Sequence, residues 1–365
     1  MCYAVRTVRT PAFIDTLLEI DTVRKTGIID VMIKFGFGAI PSVHFATYIE
    51  ITKLAEDLGF DSAWVPDQTL YRDPYAILAV LANVTEKINL GVGVTNPNTR
   101  HPAMAARAIA SIDEMAPGRV ALGIGAGNNK ELLKPLGLEV EHAGAKCREM
   151  ALIVRELLTG KAVDYRGHYF LASGIKMDFT SSPEIPIYIA GRGPAVLRAA
   201  GEVASGAIIG GLCGVTGINY ALNQIESGTK KAGRDLGQLE IISWVTVNIT
   251  NQREQALEDL KPIVAHLIGG APQTVLDAIG MDPVLVKQIK ATYLTEGILN
   301  AAKFVSPSCI DAFAIVGDRQ ECSRRIKELE NAGVTQLVML MPPGVVEQQK
   351  QFLRNFAEVV FPNFQ

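Results

Sequence analysis

Two glycine-containing segments in the second half of the chain have features of an anion-binding site. The segment Ala190-Gly191-Arg192-Gly193-Pro194 directly precedes an amphipathic stretch, so it offers backbone N–H groups at a helix start and a local cation. Ile209-Gly210-Gly211 ends the next apolar run along the chain. An ordinary turn at Ala190–Pro194 is the alternative. If the two segments follow neighbouring strands, they predict a phosphate-binding site.

Two further glycine-rich segments end predicted strands earlier in the chain. In Gly91-Val92-Gly93-Val94-Thr95-Asn96-Pro97, glycines interrupt a strand that otherwise reads as buried, which indicates a bulge or the close approach of a flat ligand. A loosely packed barrel layer is the alternative. Gly123-Ile124-Gly125-Ala126-Gly127-Asn128-Asn129 resembles a dinucleotide fingerprint only superficially, because Asn128 occupies the third glycine position, and it lacks the Gly-Lys-Ser/Thr of a P-loop.

A carboxylate and a carboxamide, Asp67 and Gln68, follow the apolar run Ser62–Val65. Side chains at strand ends are where parallel α/β enzymes place reacting groups, so both residues are candidates for a catalytic role. The alternative is that Asp67 caps a short turn.

Metal and covalent chemistry find no support in the sequence. The five histidines (44, 101, 142, 168 and 266) form no HxH, HxxxH or HExxH pattern. The five cysteines are scattered, without a CxxC pair, and no G-x-S-x-G elbow is present. We therefore expect no metal site, no disulfide and no nucleophilic serine or cysteine.

The elements that must position these segments alternate regularly between short apolar strands and amphipathic helices, which is typical of repeated βα units. The eight predicted strands are 33–39, 62–65, 88–95, 120–125, 187–190, 207–210, 240–249 and 336–341. Residues 160–184 read as an inserted hairpin, and 253–304 are too long for one crossover helix. We predict a (β/α)8 TIM barrel with insertions after strand 4 and strand 7; an open, doubly wound sheet is the alternative.

Composition limits the class of protein. The chain has 365 residues, 48% of them hydrophobic, and a formal charge of −3 without a basic block, which argues against a disordered protein or a nucleic-acid binder. No apolar run approaches the roughly 20 residues of a membrane span, and no signal-peptide pattern is visible. We expect a cytoplasmic protein that contacts neither nucleic acid nor membrane and acts on a small molecule.

Several segments, in the same order along the chain, resemble the luciferase-like flavin- and deazaflavin-dependent oxidoreductases. They are Phe35-Gly36, Ala55–Asp61, Leu90–Pro97, Gly118–Gly125 and the glycines of Ala190–Pro194. Within that superfamily, Gly93–Pro97, Ile187–Ala190, Gly193-Pro194 and Phe313–Gly317 look most like the methylenetetrahydromethanopterin reductases, which use the deazaflavin coenzyme F420. The similarity runs from about Met32 onward, so residues 1–31 are treated as an N-terminal extension and 32–365 as the barrel domain.

The resemblance implies a cofactor across the barrel mouth, with its ring against the strand-three bulge and its phosphate near Gly191–Pro194. The implied reaction is hydride transfer between C5 of the deazaflavin and a small organic or pterin-like substrate. The residues taken as cofactor-binding are Gly93, Val94, Thr95, Asn96, Gly125, Ala126, Gly127, Asn128, Ala190, Gly191, Arg192, Gly193, Pro194, Gly210 and Gly211.

Four residues, at three places in the chain, depart from the family pattern. Gly38 stands where the reductases carry a glutamate, Asn128 and Asn129 replace acidic character after strand four, and Gln68 replaces a histidine found in related deazaflavin enzymes. These differences leave the substrate open. They also leave two alternatives: an FMN-dependent monooxygenase of the same superfamily, and a non-catalytic flavin-binding protein.

Two structural expectations follow. The glycines of strand three and the resemblance together predict a non-prolyl cis peptide bond between Gly93 and Val94, with the Val94 side chain directed into the barrel. The helices around Ala76–Ala82 and Ala103–Ile112 are apolar, and barrels of the family that the chain resembles commonly form dimers or higher oligomers. Together they predict a homodimer or higher homo-oligomer.

Overall fold

The computed structural model of the protein describes residues 32–68, 70–127, 133–139, 141–179, 182–342 and 344–364. The predicted N-terminal extension, 1–31, and Asn128 and Asn129 lie outside the described residues. The described residues from Ile33 onward belong to one compact unit.

Eight parallel strands form a closed barrel. In the order of their hydrogen bonding they are β1 (Lys34–Gly38), β2 (Ser62–Val65), β3 (Asn89–Thr95), β4 (Val120–Gly125), β7 (Ile187–Gly191), β8 (Gly206–Gly210), β9 (Glu240–Ile249) and β11 (Gln336–Leu340). β8 pairs with β9, and β11 pairs with both β9 and β1, so no edge is left open. The predicted (β/α)8 barrel is confirmed, and the open doubly wound sheet is wrong.

Helices surround the barrel and, after β9, form the larger insertion. Their bounds are α1 (Phe45–Leu58), α2 (Pro74–Val84), α3 (Pro102–Asp113), α4 (Ala143–Leu158), α5 (Pro194–Val203), α6 (Val215–Ala232), α7 (Arg253–Gly270), α8 (Gln273–Ala278), α9 (Pro283–Thr295), α10 (Ile298–Ala302), α11 (Pro307–Phe313), α12 (Arg319–Asn331) and α13 (Val346–Val360). Within the part of the chain that the structure describes, no helix is both long and apolar enough to cross a bilayer.

Local chemistry sets several helix ends. The Asp73 carboxylate accepts a hydrogen bond from Tyr75 N at 2.8 Å and so caps α2, whose first residue is Pro74. Gly59 ends α1 in the left-handed conformation at φ 89°, where its N–H reaches carbonyls of the last turn. These residue types at these positions explain why the helix bounds follow from the sequence.

The insertion after β4 is a two-stranded antiparallel hairpin, as predicted, formed by β5 (Val163–Arg166) and β6 (Leu171–Ile175). Its turn is fastened to α4 by the buried carboxylate of Glu149, which accepts hydrogen bonds from the backbone N–H groups of His168, Tyr169 and Phe170 at 2.8–3.0 Å. A carboxylate with several backbone donors is a strong anchor.

The insertion after β9 contains α7 to α11 and ends in a strand that sequence reasoning missed. β10 (Ala314–Gly317) pairs in parallel with Thr246–Ile249 of β9. β9 is ten residues long and extends past its barrel neighbours, so its final residues have backbone groups that β10 satisfies.

Two hydrophobic regions hold the barrel. The larger lies between the strands and the surrounding helices. The smaller fills the barrel interior and is built around Trp64, Tyr188, Ile208, Ile242 and Val338. Because the interior is filled with side chains, any ligand must lie above it, at the carboxyl ends of the strands.

Candidate functional site

A cavity of about 740 Å³, which we call the main cavity, lies at the carboxyl ends of the barrel strands. Seven of the eight strands, or the loops that follow them, contribute to its lining; among the described residues only β1 and its loop do not. The lining residues are Pro66, Gln68, Gly93, Val94, Gly125, Ala126, Gly127, Ala143, Ala190, Gly191, Arg192, Gly193, Val196, Ile208, Gly210, Trp244, Gly270, Pro272 and Leu340. The lining is mostly glycine and apolar side chains, which suits a flat organic ligand.

Most of the predicted cofactor-binding residues meet in this cavity. Those that line it are Gly93, Val94, Gly125, Ala126, Gly127, Ala190, Gly191, Arg192, Gly193 and Gly210, together with Gln68. Thr95, Asn96, Pro194 and Gly211 are adjacent in sequence but are not part of the lining. The barrel therefore brings together segments that are more than one hundred residues apart in the chain.

β3 carries the predicted irregularity. Gly93 and Val94 are joined by a cis peptide bond, as predicted. The pairing of β3 with β4 shifts register between Val92 and Thr95. The Val94 side chain packs on the cluster inside the barrel and occupies the space in front of Gly123 and Gly125, where an added Cβ would lie 2.9 and 2.5 Å from it. The backbone of Gly93 and Val94 thus remains available to the cavity.

The loop between β7 and α5 has the geometry expected of an anion site. Gly193 is the N-cap of α5, with no side chain to satisfy the first-turn N–H groups, and Pro194 is the first helical residue. Such N–H groups and the helix dipole favour an anion. The space is available, because an added Cβ at Gly210 would meet nothing within 4 Å and one at Gly193 only Pro272 Cγ at 3.6 Å.

Arg192 supplies a positive charge to the same place. Its Nη1 donates a hydrogen bond to the Leu267 carbonyl at 3.3 Å, and no carboxylate of a described residue forms an ion pair with it. Burial lowers the pKa of the guanidinium to about 10, which leaves it charged at neutral pH. A buried cation without a counter-ion is costly, so an anion bound here would be stabilised.

Asp67 and Gln68, predicted together as catalytic residues, face different surroundings. Gln68 lines the main cavity, whereas Asp67 lines a smaller cavity of about 370 Å³. Asp67 Oδ2 accepts a hydrogen bond from Thr95 Oγ1 at 2.9 Å and lies 3.7 Å from Arg100 Nε. Burial raises the pKa of Asp67, while Thr95 and Arg100 lower it. Asp67 thus connects the loop after β2 to the end of β3.

Asn96 forms the loop after β3 rather than the cavity wall. Its Oδ1 accepts hydrogen bonds from the backbone N–H groups of Asn98 and Thr99 at 3.1 and 3.0 Å, and the residue is 1% exposed. Its Nδ2 is buried without a hydrogen-bond partner. The Asn-Pro sequence signals such a turn.

Sequence reasoning missed several lining residues. Trp244 lies within β9, Gly270 and Pro272 lie where α7 leads into α8, and Leu340 ends β11. Only Leu340 had a usable signal, its place at a strand end. Trp244 reads as one more apolar residue of a strand. Among the described residues, no group of three or more His, Cys, Asp or Glu side chains could hold a metal ion.

Known proteins are similar to this chain in sequence and in fold. Residues 30–336 match the family model of the luciferase-like monooxygenases. The 5,10-methylenetetrahydromethanopterin reductase of Archaeoglobus fulgidus is 36% identical over 315 residues, which cover 85% of this chain and 94% of that protein. The F420-dependent glucose-6-phosphate dehydrogenase of Nakamurella multipartita is 31% identical over 243 residues, 63% of this chain and 71% of that protein.

The solved structures agree with this assignment. The coenzyme F420-dependent tetrahydromethanopterin reductase of Methanopyrus kandleri superposes with a TM-score of 0.81 at 30% identity, covering 92% of this chain and all of that one. An F420-dependent secondary alcohol dehydrogenase shares the fold, with a TM-score of 0.72 at 21% identity over 92% of this chain and 99% of its own. From its barrel, its cavity and these matches, the chain belongs to the luciferase-like monooxygenase family.

Proposed function

We propose that the chain is a coenzyme F420-dependent oxidoreductase that transfers a hydride between the deazaflavin and a small organic or pterin-like substrate. The observation that carries the proposal is the partly buried Arg192, which has no carboxylate partner among the described residues and lies beside the N-terminus of α5, in the same cavity as Gly93 and Val94. One cavity thus offers both a site for a phosphate and a backbone surface for a ring. The F420-dependent relatives support the choice of cofactor.

The residues present fit such a cofactor. Gly191, Gly193 and Arg192 would hold the phosphate through backbone N–H groups and one guanidinium. Gly93 and Val94 would lie against the ring, and the apolar lining would exclude water from it. When bound, F420 supplies a carbon, C5, that accepts or donates a hydride.

The protein contributes position and polarity rather than acid–base chemistry. Among the described lining residues the only ionisable side chain is Arg192, and the only side-chain carboxamide is that of Gln68. Neither is a general acid near neutral pH. The cavity therefore suits a substrate carbon that takes or gives a hydride without exchanging a proton with a side chain of this lining.

The test is cofactor binding followed by turnover. Purified protein is titrated with F420 and separately with FMN, and binding is measured by fluorescence and equilibrium dialysis. We expect F420 to bind more tightly. Reduced F420 is then offered methylenetetrahydromethanopterin and a panel of ketones and imines, and its oxidation is followed by absorbance. Preferential FMN binding with oxygen consumption would favour the monooxygenase alternative; tight F420 binding without turnover of any oxidant would favour a non-catalytic protein.

Self-association stays a prediction. The larger apolar side chains of α2 and α3 pack inward, but Leu70, Met104 and Leu136, which line the smaller cavity, are 85%, 43% and 46% exposed. We propose that this apolar surface is covered in a homo-oligomer. The cytoplasmic location and the division into an extension, 1–31, and a barrel domain, 32–365, likewise stay predictions.

A further inference from the structure

We propose that Trp244 is a ring-positioning residue, whose indole forms the floor of the main cavity and whose Nε1–H donates a hydrogen bond to an acceptor atom of the bound ring. The inference rests on the proposed function, because the ring meant here is that of a deazaflavin.

The position of the indole is fixed by two glycines on other strands. A Cβ added at Gly38 of β1 would lie 2.2 Å from Trp244 Cζ2, and one added at Gly93 of β3 would lie 2.5 Å from Cζ3. Real Cβ atoms do not approach carbon this closely, so both positions must lack a side chain while the indole is there. The six-membered part of the ring therefore reaches from β9 across the barrel to β1 and β3.

The interior of the barrel supports the indole from below. Trp244 packs on the interior cluster, and its ring centroid lies 6.4 Å from that of Trp64 with an angle of 56° between the planes. Its neighbours on the adjoining strands are Gly210 and Val338. Because the side chains below it are buried, the indole has no space to move deeper into the barrel. It therefore limits how far a bound ring can enter.

The two tryptophans differ in their hydrogen bonding. Trp64 Nε1 donates to Ser62 Oγ at 2.9 Å and is satisfied inside the barrel. Trp244 Nε1 donates to no acceptor in the described structure, although its ring lines the cavity. An indole N–H can only donate, and Trp244 is partly exposed at the cavity, so a bound molecule that covers the indole must offer an acceptor or leave the N–H unpaired. An acceptor on the bound molecule would satisfy it.

The chemistry of the ring matches this donor. The pyrimidinedione part of a deazaflavin carries carbonyl oxygens, and few polar side chains in the described lining could meet them: Gln68, Arg192 and Trp244. Arg192 lies on the phosphate loop. The Cζ3 and Cη2 edge of Trp244 faces Gly93, where the ring is proposed to lie, whereas Nε1 is bonded to Cε2, the side of the indole that faces Gly38, so the acceptor atom of the ring would lie toward β1.

The experiment separates ring binding from phosphate binding. Two probes are used: F420, and its phosphate-free core, a deazaflavin that carries only a ribityl chain. Affinities are measured by fluorescence titration for the wild type and for Trp244→Phe, Gly38→Ala and Arg192→Gln. The exposed Arg198→Gln serves as the control, and circular dichroism and thermal melts verify folding.

We expect Trp244→Phe to weaken both probes by the same factor, about tenfold for one lost hydrogen bond. Gly38→Ala leaves the chemical structure of Trp244 unchanged. It should nevertheless weaken the binding of both probes, because the added Cβ must displace the indole. Arg192→Gln should weaken F420 while leaving the phosphate-free probe unchanged, and Arg198→Gln should leave both affinities unchanged. A Trp244→Ala variant should abolish the effect of adding Gly38→Ala.

Two results would overturn the inference, and they are distinguishable. If the wild type binds both probes and folded Trp244→Phe and Gly38→Ala bind the phosphate-free probe as well as the wild type does, the role of Trp244 is wrong and the proposed function stands. If the wild type binds neither probe, the proposed function is wrong and the inference falls with it.

Discussion

An aspartate at position 193 would place a carboxylate at the N-cap of α5, at the edge of the main cavity. The change is sterically mild, because the nearest atom to an added Cβ is Pro272 Cγ at 3.6 Å. The φ of Gly193 is −73°, a value that any residue adopts. The matched control is Gly193→Asn, which has the same shape and differs only in charge.

The two variants should be equally well folded. Asp and Asn are both favoured N-caps and exceed Gly by a few tenths of a kcal/mol, and an acidic group there also interacts favourably with the helix dipole by about 0.3–1 kcal/mol. The free energy of unfolding should therefore be unchanged or slightly higher in both. Any loss of cofactor affinity cannot then be attributed to a damaged helix.

The binding effect follows from Coulomb repulsion. A carboxylate at the N-cap and a phosphate on the adjacent N–H groups would be about 6 Å apart, which corresponds to roughly 3 kcal/mol at an effective dielectric constant of about 20. Partial exposure of Gly193 and screening by salt reduce this to about 1.5–3 kcal/mol. We expect Gly193→Asp to bind F420 about 10- to 100-fold more weakly than Gly193→Asn.

The assay is fluorescence titration with F420 at two ionic strengths. The difference between the variants should shrink at high salt, as an electrostatic effect must. Equal affinities of the folded Asp and Asn variants would refute the phosphate assignment at Gly191–Pro194. A loss of affinity shared equally by both variants would instead indicate that bulk, and not charge, matters there.

Four further expectations concern Arg192, Asp67, the hairpin after β4 and self-association. Arg192→Gln should weaken F420 binding at least tenfold without lowering the melting temperature, since it removes a buried cation, whereas exposed Arg198→Gln should change neither; equal F420 affinity in both would contradict the role of Arg192. Because burial raises the pKa of Asp67, its charged form is disfavoured by folding, so the unfolding free energy of the wild type relative to Asp67→Asn should fall as pH rises from about 4 to 7; urea titrations at both pH values show the sign. Glu149→Gln should cost about 1.5–3 kcal/mol in chemical denaturation, because one amide oxygen replaces a carboxylate that serves three backbone donors; a loss below 0.5 kcal/mol would show that the hairpin turn is held by other contacts. Light scattering at micromolar concentration should show a homodimer or larger assembly, and a Leu70→Glu variant should shift it toward monomer; a wild-type monomer contradicts the prediction.

The sequence by itself determined the βα units and several segments of the cavity lining. Short apolar runs alternating with amphipathic helices indicate a parallel sheet covered by helices, and eight such units favour a barrel, whereas closure of the sheet was seen only in the structure. The glycine-rich strand ends are local signals, because a missing side chain or a helix start is visible in a few consecutive residues. Ala190–Pro194 was therefore found from the residues alone, whereas the cis bond between Gly93 and Val94 was predicted from the glycines together with the family resemblance.

Only the tertiary structure decided which side chains share the cavity. Asp67 and Gln68 are consecutive residues, but the turn after β2 directs them to different cavities, and no periodicity predicts the direction of a turn residue. The Trp244 indole occupies space that is free because Gly38 and Gly93 have no side chains. Gly38 lies about 200 residues earlier in the chain and Gly93 about 150, each on another strand of the barrel. That contact depends on strand register and barrel closure, which are set by non-local pairing and leave no trace in the neighbouring sequence.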